Sequence, residues 1–360
     1  MASSTAATAV RSRISSFGFS GAGFLACYHL GVANCLLQQG ILRKAGYVRR
    51  EDDDRPPVVL AGVSAGALVA AAVSAGVDPA DGMDAVLQVA KRTRQAGRLD
   101  ALQPGFSLVD VAEEYFSPLL RQAVQDDPGY FLQRINHGRL LRIGLTDRRE
   151  FPPVGNNPRA FCYVDHYQSM DDVIAACTLS SYVPGVTGPA WGSLDERHSA
   201  VIRAAQHLRG MIEEGSVKQG ITGKPIRPLL TTQHSEGVQG REICWDGGLV
   251  NNFPIVDEHT VIVTPLAANF THDSINPSLD YEDELSSNND KMSPRTLVLN
   301  DRVQIHLTTA NAQTFRNMIL SSDDNILQEI FMQGYDNAYK FLDKRNLLSV
   351  YSHPSSARTP

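Results

Sequence analysis

VVLAGVSAGALVAAAVSAG, residues 58–76, reads as a buried strand, a tight turn and a helix in immediate succession. Val58 to Ala61 is a β-branched apolar run that stops at Gly62, the pattern of a strand covered on both faces. Ala65 to Ser74 is rich in Ala, with Leu68 among them, and reads as a helix. Between them stands Gly62-Val63-Ser64-Ala65-Gly66, a G-x-S-x-G. Such a turn exposes a serine hydroxyl at the N-terminus of a helix, which suits a nucleophile. The glycines flank the serine because side chains there would clash in so sharp a bend. A pentapeptide of this form arises by composition in roughly one chain in ten of this length. It therefore signifies only through its context, and the strand before it and the small-residue helix after it supply that.

Upstream, Ile14 to Gly23 reads as a short strand entering the turn Ser20-Gly21-Ala22-Gly23-Phe24-Leu25. Phe24 to Gln38 then has Leu25, His29, Val32 and Leu36 at helical spacing. Backbone N–H groups in such a turn can stabilise the negative charge that develops on a carbonyl oxygen during acyl transfer. A dinucleotide site is the rival reading. It is disfavoured by Ala26 where the third glycine would fall, and by the lack of a suitably spaced acid. The acidic run Glu51 to Arg55 reads as a solvated loop ahead of Pro56 and Pro57. His29 reads as a packing or capping residue.

Downstream, Asp78-Pro79 is an N-cap with proline at the first helical position, opening a helix toward Arg94. Leu140 to Thr146 reads as a strand and Asp171 to Leu179 as a short helix, stopped by Pro184. Ile243 to Trp245 is a strand running into Asp246-Gly247-Gly248, followed by Asn252 and Pro254, and Val261 to Thr264 is another strand. Strands alternating with helices predict an α/β fold with a largely parallel sheet. Residues 269–295 turn polar, as a connector does, and Asn311 to Leu347 reads as helical. Ser352 to Pro360 reads as a frayed end.

The 360 residues, 42% of them hydrophobic, suffice for a large core, and the net charge of −6 offers no attraction to nucleic acid. Five scattered cysteines (Cys27, Cys35, Cys162, Cys177, Cys244) form no CxxC or Cys/His cluster, so neither a disulfide framework nor a zinc site is predicted. The longest apolar run, Ala65 to Val77, is too short to span a bilayer. Residues 1–13, with Arg11 and Arg13 among Ala, Ser and Thr, read as a flexible tail, and a short organelle-targeting sequence is the alternative.

Glycine-rich turn, G-x-S-x-G, then D-G-G-x-x-x-N-x-P is an order that resembles the patatin-like phospholipases, and within them the adipose triglyceride lipase and adiponutrin branch. The resemblance runs from about Ile14 to Leu348. It is carried by SFGFSGAGFLACYHLGV (16–32), GVSAGALVAA (62–71), DDVIAACTLSSYVPGVTGP (171–189), DGGLVNNFPI (246–255) and GYDNAYKFLDKRNLL (334–348). It implies a three-layer α/β/α fold around a mostly parallel sheet and a catalytic domain over 14–268. A connector and helical extension packed on that domain would cover 269–348, and 349–360 would be a tail. It also implies a Ser-Asp dyad with Ser64 as nucleophile, Asp246 as general base, and an oxyanion hole at Gly21, Ala22, Gly23 and Phe24. Gly62, Gly66, Gly247 and Gly248 would support the turns. No metal or organic cofactor is expected. The sequence departs from the pattern at Ala22 and Ala26, and residues 191–242 stand as an insertion to which the resemblance assigns nothing.

The expected activity is hydrolysis of acylglycerol or phospholipid esters through an acyl-enzyme, at a membrane or lipid-droplet surface reached from the cytoplasm. Three alternatives are a lipid-binding module with little activity, an acyltransferase using the same acyl-enzyme, and a Ser-His-Asp triad recruiting His259 or His306. Within the insertion, Arg197 to Glu214 reads as an amphipathic helix with Val201, Ala205, Leu208 and Ile212 on one face. Packing on the domain is the first reading of that face, and a lid or lipid-surface helix is the second.

Overall fold

The computed structural model describes residues 14–42, 57–97, 102, 105–147, 158–188, 199–220, 222–226, 244–277, 296–300 and 303–348. The expected tails at 1–13 and 349–360, the acidic run Glu51 to Arg55, and the rest of the 191–242 segment lie outside these residues. The main sheet has eight strands. They are β1 (Ser16–Phe19), β2 (Val59–Gly62), β3 (Leu141–Asp147), β4 (Phe161–Val164), β5 (Val217–Gln219), β6 (Cys244–Asp246), β7 (Thr260–Val263) and β9 (Ser274–Ile275). Seven run in the order β5-β4-β3-β2-β1-β7-β9, and β6 joins β3. The centre is parallel: β1 pairs with β2 and β7, β2 with β3, and β7 with β9. β4, β5 and β6 join antiparallel. This is the mixed α/β sheet with a parallel centre that the sequence predicts.

β7 shows why its last three residues, Val261 to Val263, are all apolar. Val261 and Val263 point into the large core, whereas Ile262 belongs to a second cluster with Phe253, Leu266, Val303 and Ile305. A strand covered on both faces has no polar side to present. The second cluster is closed by a small sheet of β8 (Ala268–Phe270), β10 (Thr296–Asn300) and β11 (Val303–His306), in the order β10-β11-β8. The polar stretch read as a connector from residue 269 thus opens with strands β8 and β9. Two or three residues are too few to display alternation.

Among the described residues the helices are α1 (Ala26–Gln38), α2 (Ala65–Ala75), α3 (Pro79–Arg94), α4 (Leu108–Ala123), α5 (Pro128–Asn136), α6 (Met170–Ser180), α7 (Ser199–Glu213), α8 (Thr309–Ile319) and α9 (Asp324–Lys344). Asp78 caps α3 through the Ala80 N–H, and Ser169 with Asp172 forms a capping box on α6. α2 is nearly all Ala, Gly and Val, which lets it lie close against the sheet and bury almost every residue. α7 packs into the core with Val201, Leu208 and Ile212 buried, so the described part of the insertion is built into the domain. The helical stretch expected at 311–347 is two helices, interrupted at Leu320 to Asp323.

α9 packs lengthwise on α1, and two glycines set the spacing. A Cβ on Gly31 would stand 1.9 Å from the Phe331 carbonyl oxygen, and one on Gly334 would stand 2.1 Å from that of Tyr28. Asn337 and Tyr335 then hydrogen-bond to Tyr28 and Gln38 across the contact. Helix propensity alone would make Gly334→Ala stabilising by roughly 1 kcal/mol. The close approach predicts the opposite, a loss of about 1–3 kcal/mol from overpacking. Urea denaturation reads the sign directly, and a raised midpoint would contradict the contact.

Candidate active site

The site begins where β1 and β2 end together. Phe19 pairs with Gly62, so the turns after the two strands lie side by side at the carboxyl edge of the sheet. Open α/β sheets place ligands at such an edge. Ser64 sits there with φ 54° and ψ −132°, a backbone conformation that L residues avoid at a cost of about 1–3 kcal/mol. Its surroundings enforce it. The Ser64 N–H donates to Ser180 Oγ at 2.9 Å, and that hydroxyl donates to the Gly144 carbonyl at 2.7 Å. The Ser64 carbonyl is taken by the Ala67 N–H at 2.9 Å. A Cβ on Gly62 would meet the Gly66 carbonyl oxygen at 2.3 Å, and one on Gly66 would meet that of Phe19 at 2.3 Å. No larger residue fits at either flank without moving the turn.

Asp246 reaches Ser64 through a change of strands. β2 pairs with β3 at Leu141 to Ile143, and β6 pairs with β3 at Leu145 to Asp147. β4 already holds the other edge of β3, so β6 takes up the edge that β2 leaves at Gly62. Asp246 therefore arrives just beyond the bend that carries Ser64. A Cβ on Gly247 would stand 2.4 Å from the Gly144 carbonyl oxygen, the same carbonyl that anchors Ser180. The Asp246 carboxylate accepts the Gly248 N–H at 2.7 Å. Burial pushes its pKa up to about 6, against the opposing pull of hydrogen bonds with the Ser64 side chain and the Gly248 N–H.

The glycine-rich turn passes on the other side of Ser64, where a Cβ on Gly21 would be 3.3 Å from Ser64 Cβ. The N–H of Gly21 is committed to Asn252 Oδ1 at 3.1 Å. Gly23 to Leu25 forms a single 3-10 turn leading into α1. Gly23 has φ +53°, and a Cβ there would overlap the Met318 carbonyl, so α8 presses directly on this turn. From Ser64 a chamber of about 120 Å³ extends between α1, α2, α3 and α4. Its walls include Ala26, Leu30, Leu68, Val69, Ala72, Gly82, Ala85, Val86, Val89, Leu108, Ala112, Phe116 and Leu119. Polar side chains in the lining are Ser64, Tyr115, Ser181 and Thr187.

The structure thus brings together Ser64, Asp246, Gly21, Ala22, Gly23, Phe24, Gly62, Gly66, Gly247 and Gly248. The two histidines considered as triad members stand elsewhere. His259 is about half exposed in the turn before β7, beside Glu258, and His306 is buried on β11 of the small sheet. Ser180 and Asn252 are the residues whose parts the sequence left unassigned. Ser180 is the last residue of a helix with no sequence signal that names its partner, and Asn252 stands in the D-G-G-x-x-x-N pattern without a spacing rule that names its own. Among the described residues, no group of three or more His, Cys, Asp or Glu side chains converges to hold a metal ion. Nor is any described helix long and apolar enough to cross a membrane.

Fold and site together define an α/β protein with a strained serine at the strand edge, a buried carboxylate beside it and an apolar chamber behind it. Residues 19–258 match the patatin-like phospholipase family, and the chain belongs to that family. It is 24% identical to patatin-like phospholipase domain-containing protein 2 of Mus musculus and of Homo sapiens, over 92% and 94% of this chain. It is also 24% identical, over 92% of its length, to human 1-acylglycerol-3-phosphate O-acyltransferase PNPLA3. The chain spans about half the length of these curated relatives (50–51%). A solved structure, VipD from Legionella pneumophila, aligns over 92% of this chain and 67% of its own at 13% identity, with a TM-score of 0.33.

The carboxyl of Asp246 has a consequence for stability. Between its usual 3.8 and about 6 the folded protein retains a proton that the unfolded chain has released, so stability falls as pH rises through that window. At roughly 1.4 kcal/mol per pH unit this is on the order of 3 kcal/mol. Asp246→Asn removes the effect. The variant should exceed the native protein in stability above pH 6, with the gap closing toward pH 4, in urea denaturation at each pH. A gap independent of pH would show that burial does not hold the carboxyl up.

Proposed function

We propose that this protein is a serine lipid acyl hydrolase that cleaves carboxylic esters of acylglycerols or phospholipids through a Ser64–Asp246 dyad. The observation that carries this reading is the strained Ser64, with Asp246 buried at its side and an apolar chamber opening from it. The chamber accepts an acyl chain by excluding water, and its wall offers almost nothing to a polar ligand. Asp246 takes the Ser64 proton directly, with no imidazole between them. A base with a pKa near 6 is ionised at neutral pH and still basic enough to accept that proton.

Ser64 Oγ then bonds to the ester carbonyl carbon, and the oxyanion is held by N–H groups of Ala22, Gly23 and Phe24 at the start of the 3-10 turn. The Gly21 N–H is left out of this set because Asn252 holds it. The ester C–O bond breaks as Asp246 returns the proton to the leaving alcohol. Water attacks the acyl-enzyme, gives its proton to Asp246, and the fatty acid leaves as Ser64 is restored. The patatin-like unit over 14–268 and the helices of the 269–348 extension act as one catalytic body, meeting lipid from outside a membrane or droplet surface. Transfer of the acyl group to an alcohol instead of water is the second reading. It is favoured by similarity to a relative named as an acylglycerol-phosphate acyltransferase, and it shares every step up to the acyl-enzyme.

Fatty acid release from emulsified acylglycerols and phospholipids, with and without an added acyl acceptor, tests both readings. Ser64→Ala and Asp246→Asn should each abolish release. The native rate should fall on the acid side with a midpoint near pH 6, since only the ionised carboxylate acts. Loss in Ser64→Ala alone would remove Asp246 from the mechanism.

Ala85→Phe, in the chamber wall, should lower hydrolysis of long-chain esters at least tenfold while sparing butyrate esters. Equal loss on both would place the acyl chain elsewhere.

A further inference from the structure

The Ser20–Gly21 peptide is held at both of its polar ends by side chains, one from the helix that follows it and one from a distant loop. A trans peptide directs its carbonyl and its N–H in opposite directions within one rigid plane. The Ser20 carbonyl lies 2.9 Å from His29 Nε2, on α1. The Gly21 N–H donates to Asn252 Oδ1 at 3.1 Å, in the loop behind Asp246. A carbonyl can only accept, so Nε2 carries the hydrogen. His29 Nδ1 is buried without a hydrogen-bond partner among the described residues and is therefore the bare nitrogen of a neutral ring. Burial holds that ring neutral down to a pKa of about 4.

An apolar residue would suit this place better if packing were all that mattered. His29 is fully buried, edge-on to the rings of Phe19 and Tyr28. A buried ring nitrogen without a partner destabilises, and the bond to Ser20 is what offsets it. Asn252 is equally specific. Its Oδ1 stands 2.5 Å from where a Gly21 Cβ would be and 2.9 Å from where a Gly248 Cβ would be. One amide thus touches both the turn beside Ser64 and the turn that carries Asp246.

We propose that His29 and Asn252 are positioning residues that lock the Ser20–Gly21 peptide plane from its two ends, so that the N–H groups following it at Ala22 and Gly23 face Ser64. A plane held at one end still rotates about its Cα–Cα axis, and holding both ends removes that freedom. The lock rests on the hydrolase reading for its purpose, since an aimed pair of N–H groups serves an oxyanion.

Two readouts test it on the full chain: amide hydrogen exchange at Gly21 to Gly23, and kcat and KM for a soluble short-chain ester. His29→Leu and Asn252→Ala should each speed exchange at these amides at least tenfold. Each should lower kcat at least tenfold with KM within twofold of native. His29→Gln, which restores an N–H at similar reach, should recover most of both. The double variant should be no worse than the worse single, because the two act on one plane. Exchange unchanged in the singles, or losses that multiply in the double, would overturn the lock. If His29→Leu does not fold, Asn252→Ala and His29→Gln carry the same comparison. If the native protein hydrolyses no ester, the hydrolase reading falls, and exchange alone decides for or against the lock.

Discussion

β2 ends at Gly62, and everything in the site depends on what replaces it along the edge of β3. Had β2 continued, β3 would have been paired along its length and Ser64 would have been an ordinary strand residue. Instead the chain bends at a backbone angle that L residues avoid, and β6 fills the vacated edge from the opposite direction. The unpaired groups of β3 find new partners, which meets the general demand that buried backbone be hydrogen-bonded. The same exchange delivers a carboxylate to the back of the bend. Ser64 and Asp246 thus come together through sheet pairing, although 182 positions of sequence separate them.

The strain at Ser64 persists because its neighbours over-determine it. Ser180 is central among them. Its hydroxyl accepts from the Ser64 N–H and donates to the carbonyl of Gly144, which also abuts Gly247. The bend, the end of α6, β3 and the Asp246 turn therefore share one polar node in an otherwise apolar setting. The C-terminal helices belong to the same arrangement. α8 presses on Gly23, and α9 fixes α1 at backbone contact through Gly31 and Gly334. The helix that starts from the glycine-rich turn is thus clamped from outside by a segment some three hundred residues away.

Local pattern made much of this legible in advance. The β-branched run ending at Gly62, the Ala-rich helix after it and the Asp78-Pro79 cap are short-range features, and each appears within a residue or two of its expected place. The glycine flanks were legible because a sharp bend admits nothing larger. The short strands β8 and β9 were not, since two or three residues carry no period. Nor was the interruption at Leu320 to Asp323, which no glycine or proline marks.

The sequence by itself determined the local settings of the two candidate residues: a serine that its neighbours force into a bend, and an aspartate released from a strand into two glycines. Those are local constraints of backbone sterics, and they hold wherever the chain lies. Tertiary structure alone decided the partners. It placed Asn252 on the Gly21 N–H, His29 on the Ser20 carbonyl and Ser180 on the Ser64 N–H, and it assembled an apolar chamber from four helices. Hydrogen bonds and cavities between distant segments depend on register and packing distance, which no window of sequence contains.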